Sequence, residues 1–177
     1  MLLLTFTLLA AVHLQVAAAL QTYQVPISML TTILENGDCT LPKKFMVRAF
    51  VVWTPAPGND GGTTTLDFGY ADNGTSIDTQ CHYNSSSANV GPKGSAARYA
   101  CENRNVEFIW QRGSLTLIER ACPGSAAGNL EAASSITPDL GYCLQTEANS
   151  TRGEGTACFD FRFHDGSFFS LQPAPRE

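Results

Sequence analysis

Carboxylates, histidines and cysteines are the side chains through which this chain has chemistry to offer, and their spacing narrows what that chemistry is. Glu107, Glu119, Asp67 and Asp160 all fall in strand-like runs. A glycoside hydrolase needs two carboxylates facing one cleft. Alternation sets Asp67 opposite Leu66 and Phe68, and Asp160 opposite Phe159 and Phe161, so both are expected on outer, solvated strand faces. Glu107 and Glu119 remain as the carboxylate pair of an alternative secreted hydrolase. A serine hydrolase finds no G-x-S-x-G elbow. Beyond the N-terminal leader described below, only His82 and His164 are available as a base. His82 adjoins Cys81 and His164 precedes a turn signal, so both read as surface residues. No C-x-x-C occurs among the six cysteines, so no metal centre and no cofactor are expected.

The cysteines carry a different message. Residues 1–19, MLLLTFTLLAAVHLQVAAA, form an apolar run closing on small residues, and Ala17-Ala18-Ala19 suits a signal-peptide cleavage site. Residues 20–177 then form a single secreted domain. All six cysteines lie beyond the leader, and an even count in an exported chain implies disulfides. Count alone leaves fifteen pairings open. Cys81 and Cys101 each end a strand-like run around a polar loop. Cys143 and Cys158 bracket a second polar loop in the same way, which leaves Cys39 for Cys122. The net charge of −5 and the absence of a basic run longer than Lys43-Lys44 speak against nucleic acid and anionic membrane surfaces as partners. Apart from the leader, no stretch approaches the length of a membrane span.

Asn73-Gly-Thr, Asn84-Ser-Ser and Asn149-Ser-Thr are N-glycosylation sequons, all in segments that read as turn or loop. Trp53, Trp110, Tyr70, Tyr99 and the phenylalanines near the C-terminus would line either a core or a contact surface.

The elements that must position these residues are strands. The central feature is a hairpin between Cys101 and Cys122. Val106, Phe108 and Trp110 point one way and Ile109 the other. Gln111-Arg112-Gly113 breaks the run, and Ser114 to Glu119 alternates again. Residues 20–38 mix helical spacing (Ile27, Leu30, Leu34) with β-branched residues and are left undecided. Lys44 to Trp53 is a strand with Phe45, Val47, Ala49, Val51 and Trp53 on one face. Thr54 to Gly62 is a loop, Thr64 to Tyr70 and Ile77 to Tyr83 are strands, and Asn84 to Lys93 is a polar loop. Pro123 to Pro138 reads as loop with at most a short strand near Leu130. Gly141 to Gln145 is strand-like. Asp165-Gly166 is a strong two-residue turn signal, predicting a last hairpin with Phe163 opposite Phe168. Short strands separated by turns, with no convincing long helix, specify an all-β fold: an antiparallel β-barrel or sandwich, stapled by disulfides.

Three segments, CTLPKKFMVRAFVVWTPA from Cys39, LDFGYADNGTSIDTQC ending at Cys81 and RYACENRNVEFIWQRGSLTLIERAC from Arg98, carry a resemblance. In cysteine placement and strand order, over most of residues 20–177, the chain resembles the Alternaria major-allergen-like family of secreted fungal β-barrel proteins. That resemblance implies a compact β-barrel, export, a fungal source and no known catalytic residues. It implies an allergen, an elicitor of plant defence or an effector that binds host defence proteins. The pairs Cys81–Cys101 and Cys143–Cys158 fit the family layout. In the namesake a cysteine near the mature N-terminus joins two chains. Cys39 lies in a comparable region but has Cys122 available within the chain, so monomer and homodimer both stand.

The expectation is therefore a secreted, non-catalytic effector- or allergen-like protein that binds a host extracellular defence protein or a small apolar ligand, through loops 54–62, 84–97 and 146–156. A structural cell-wall or extracellular matrix protein and the secreted glycoside hydrolase are the alternatives.

Overall fold

A computed structural model describes residues 39–58, 62–124, 130–148, 150 and 152–175. The leader over residues 1–19, the undecided segment 20–38 and Asn149 lie outside the described residues. All regular structure in the described residues is β. The strands are β1 (Lys44–Pro55), β2 (Thr65–Asp72), β3 (Ile77–Tyr83), β4 (Tyr99–Ala100), β5 (Val106–Gln111), β6 (Ser114–Ala121), β7 (Leu130–Ile136), β8 (Tyr142–Thr146), β9 (Gly155–Asp160), β10 (His164–Ser167) and β11 (Ser170–Pro173). They form two antiparallel sheets. The first has the order β3-β2-β1-β9-β8, with β10 also on β1, and the second the order β11-β7-β6-β5-β4. The architecture is a sandwich; among the described residues the sheets do not close into a barrel.

The central hairpin forms where the residue types ask for it. Gln111 pairs with Ser114, so the turn is the two residues Arg112 and Gly113. Both have positive φ, 52° and 77°, which gives a turn twisted to match the flanking strands. Val106, Phe108, Leu115 and Leu117 face inward and are fully buried. They meet Phe45, Val47, Phe50, Leu66, Phe68 and Tyr70 of the first sheet. Phe68 meets Phe108 edge-on with centroids 5.2 Å apart, and Phe50 meets Trp110 at 5.3 Å.

Strand β1 departs from simple alternation. Arg48 pairs with Gly69 but Val51 with Asp67, so three steps on β1 oppose two on β2. This is a β-bulge, and Ala49 at its apex has φ 51°. The extra residue reverses the side-chain phase. Phe45 and Val47 face the core before it, and Phe50 and Val52 after it, while Ala49 is exposed. The expected single face of Phe45, Val47, Ala49, Val51 and Trp53 is thus broken midway.

The predicted C-terminal hairpin does not form. Residues 164–167 are a strand, and Lys44, Phe45, Met46 and Val47 pair with Ser167, Gly166, Asp165 and His164. β9 pairs with the other half of β1, from Phe50↔Asp160 to Pro55↔Gly155. β9 and β10 therefore run in one direction along β1, interrupted by a corner at 161–163 opposite the bulge. Gly166 serves the ring of Phe45 and not a turn. A Cβ there would lie 2.6 Å and 2.8 Å from Cε2 and Cε1 of Phe45, and closer still to Cζ. Phe45 is buried and has no room to retreat. Gly166→Ala is therefore expected to cost about 1–3 kcal/mol by overpacking, read as a lower urea midpoint. A midpoint equal to that of the parent would show that the ring moves aside freely.

A seven-residue β7 occupies 130–136, where only a short strand was expected. Its small residues conceal it in sequence but suit its neighbours. Ala132 opposes Glu119 and leaves room for that carboxyl inside the core.

The sheets are stitched along both sides. Cys81–Cys101 links β3 to the segment after β4, beside bonds from Glu102 N to Gln80 O at 2.9 Å and from Asn103 N to Thr79 Oγ1 at 2.9 Å. Cys39–Cys122 ties the approach to β1 to the end of β6. On the other side the chain crosses from β10 to β11, where Ser134 Oγ donates to Ser167 O at 2.8 Å and Phe168 N to Lys43 O at 3.1 Å. Cys143–Cys158 joins directly paired residues of β8 and β9. Cys81–Cys101 and Cys143–Cys158 are the pairs that loop bracketing ranks first, and Cys39–Cys122 is the one left by elimination. Disulfides of this number fit an extracellular protein.

Candidate binding surfaces

The four carboxylates singled out in the sequence occupy separate places. Val106 pairs with Glu119 and Glu107 with Ile118, so the two glutamates project from opposite faces of one sheet. Glu119 points into the core and is fully buried. The Tyr70 hydroxyl donates to its Oε2. Burial pushes the Glu119 carboxyl up to about 7, against the lowering effect of Tyr70 and Thr75. Burial, with the neighbouring Glu119, raises the Tyr70 phenol as well. Glu119 Oε1, Asp72 Oδ2 and Thr75 Oγ1 are buried without partners. Tyr70, Asp72 and Glu119 of this cluster are enclosed in the core.

Asp67 lies on the outer face of the first sheet. It accepts from His82 Nδ1 at 2.7 Å and from Arg152 Nη2 at 3.2 Å. The bond to Asp67 raises the His82 imidazole above its usual value. Asp160 is not on an outer face as alternation suggested. It sits opposite Phe50 and is 2 % exposed. The alternation was real but its sense was reversed, because Phe159 and Phe161 are on the outside. Asp160 gathers Arg162 Nε at 3.1 Å, His164 Nε2 at 2.5 Å and Asp139 N at 2.6 Å. These bonds, Arg162 foremost, hold its carboxyl far below the usual carboxylate range. No two of the four carboxylates share a cleft, and among the described residues no group of three or more His, Cys, Asp or Glu is arranged to hold a metal.

The Asp160 network fixes the corner at 161–163, and that corner bears the first candidate surface. Phe161 and Phe163 are 69 % and 67 % exposed. Phe159 and Phe161 lie parallel with centroids 5.4 Å apart, and Tyr142 packs on both at 6.0 Å and 5.7 Å. Leu144, two residues along β8 from Tyr142, is also exposed. Exposed apolar groups are unremarkable singly, but a contiguous cluster of this kind marks an interaction site. β8 is also an edge strand. Among the described residues it pairs with β9 alone, and its sequence YCLQT has no charge, proline or bulge to block further pairing. Trp53, by contrast, is buried on the same face, with Nε1 bonded to Thr146 Oγ1 at 3.0 Å.

The second surface lies on the outer face of the other sheet. A cleft of about 480 Å³ opens between β4, the outer face of β5 and β6, and the loop before β4. Ser87, Val90, Arg104, Glu107 and Arg120 are among its lining residues. The loop over 84–98 is held by its own bonds: Val90 N to Arg98 O at 2.9 Å, and Gly91 N and Arg98 N to Asn89 Oδ1, both at 2.9 Å. Beneath it Arg98 Nη1 reaches Glu131 at 2.9 Å and Glu107 at 3.6 Å, and Arg120 Nη2 reaches Glu107 at 3.3 Å. Burial raises the Glu107 carboxyl, opposed by Arg120 and Arg98. This ionic group escaped the sequence reading because its members are far apart in the chain. The two-residue turn at Arg112-Gly113 places Glu107 diagonal to Arg120, a register that the three-residue break read from the sequence does not give.

Asn73 and Asn84 are both exposed in turns. Asn84 Oδ1 accepts from Ser86 N at 2.9 Å and Ser86 Oγ at 2.7 Å, which leaves its Nδ2 uncommitted by these bonds. No protein-family model, curated protein or solved structure matches this chain.

Proposed function

We propose that this is a secreted, non-catalytic binding protein of the fungal effector or allergen type, which takes an extended segment of a host extracellular defence protein along β8. The observation that carries this reading is the exposed cluster of Tyr142, Phe161 and Leu144 beside an uncharged edge strand. Unpaired N–H and C=O groups on an edge are satisfied by another extended backbone, and alternate apolar side chains supply specificity. Export through residues 1–19 and glycans at Asn73 and Asn84 belong to the same reading.

The test is capture from plant extracellular fluid by the mature, oxidised protein, beside a reduced and alkylated control and a Leu144→Lys variant. Leu144 is half exposed, so lysine there leaves the fold intact while blocking edge pairing. A partner retained by the oxidised protein and weakened at least tenfold by Leu144→Lys is expected, with amides 142–146 protected from exchange in the complex. Equal capture by the variant, or no capture at all, would remove the reading.

A further inference from the structure

We propose that the cleft beneath residues 84–98 is a second binding site, independent of β8, for a small monocarboxylate with an apolar body. The chemistry of its walls selects that class. Arg104 is exposed and makes no hydrogen bond or ion pair with the described residues. Arg120 is incompletely satisfied: Nη2 bonds Glu107, while Nε has no acceptor. Three guanidinium groups (Arg98, Arg104, Arg120) stand against two carboxylates (Glu107, Glu131), which leaves one positive charge. On a chain of net charge −5 that is a local reversal of sign.

Glu107 does not cancel it, because Arg98 and Arg120 already share that carboxyl. Arg98 is nearly buried and committed to Glu131, so it is the fixed member. Arg104 is the one free to grip an incoming anion, with Arg120, held on Glu107 through Nη2, adding its charge, and a guanidinium fork matches a carboxylate in two parallel bonds. The opposite wall is apolar. Val90 is 48 % exposed on the roofing loop, with Ala88 beside it and Ala100 on β4. A group bearing charge alone would leave Val90 in water; an apolar body covers it. The volume is in the range of small-molecule sites.

Calorimetric titration of the mature, oxidised protein with 3-phenylpropanoate and with octanoate tests this, beside the primary amide of each and inorganic sulfate. Saturable binding of at least one carboxylate is expected, at least tenfold tighter than its amide and than sulfate. Arg104→Ala, a change at an exposed and unbonded side chain, should weaken it about tenfold, and Leu144→Lys should leave it unchanged. Failure of both carboxylates to bind would overturn the proposal. So would equal affinity for the amides, which would mean an apolar groove only, or equal affinity for sulfate, which would mean a point-charge site. Affinity unaltered by Arg104→Ala in a variant with the parent's circular dichroism would overturn it as well. Because the two sites use different residues, loss of one leaves the other standing.

Discussion

Glu119→Gln is expected to raise stability by about 3 kcal/mol at pH 8 and to flatten its dependence on pH between 4.5 and 7. The buried carboxyl titrates near 7 in the folded chain, against an ordinary 4.5. A shift of this size corresponds to about 3 kcal/mol. The folded chain holds this proton more tightly than the unfolded chain does. Its contribution is complete below pH 4.5, declines as the unfolded chain ionises, and is gone once pH passes the folded value. Glutamine copies the protonated state at every pH. Its carbonyl accepts from Tyr70 as the carboxyl does. Asp72, also raised by burial, acts in the same direction and leaves a residual slope. Urea midpoints at pH 4.5, 6 and 8 decide the matter. Parallel pH profiles for parent and variant would mean that Glu119 is ionised throughout.

Asp160→Ala is expected to cost about 1–3 kcal/mol, because it removes the buried carboxylate on which the exposed Arg162, the half-buried His164 and the Asp139 amide converge. Arg162 donates to it through Nε, Nη2 and its backbone N–H, and Asp139 N and His164 Nε2 bond it as well. The sign with pH is opposite to that of Glu119. A carboxyl held low in the folded chain stabilises it above the ordinary aspartate range, and that support fades as acid drives the folded group toward protonation. The corner it anchors carries Phe161 and Phe163, so the variant should also exchange amides 161–163 faster and lose partner capture. A cost under 1 kcal/mol with unaltered exchange would show that β10, paired to β1, holds the corner unaided.

Particular residues show what the sequence disclosed and what it withheld. The hairpin between Cys101 and Cys122 was legible but its register was not: the break reads as Gln111-Arg112-Gly113, whereas Gln111 pairs with Ser114 and the turn is Arg112-Gly113 alone. The bulge at Ala49 is invisible, since nothing in an alanine side chain asks for positive φ; the surrounding pairings impose it. Asp165-Gly166 is a real local turn signal that lost to pairing with β1 and to the Phe45 ring. Asp160 shows that alternation reveals two faces without saying which is inside. A phenylalanine face reads as core unless the opposite aspartate is known to have Arg162 and His164 waiting for it. Tyr142 and Leu144 were legible as strand but not as surface, because exposure depends on which strand ends the sheet.

The turn that closes the Glu119 cluster would impose an order of events on the proposed glycosylation. Thr75 supplies the hydroxyl of the Asn73 sequon, yet that hydroxyl is buried in the folded chain, whereas Ser86, its counterpart for Asn84, is exposed. A glycan at Asn73 must therefore be transferred before β2 and β3 close around Asp72, while Asn84 keeps its acceptor triplet accessible afterwards. Under the proposed glycosylation, occupancy at Asn73 relative to Asn84 would act as a clock for how quickly this hairpin matures, and slowing its closure would add sugar at the first position and not at the second.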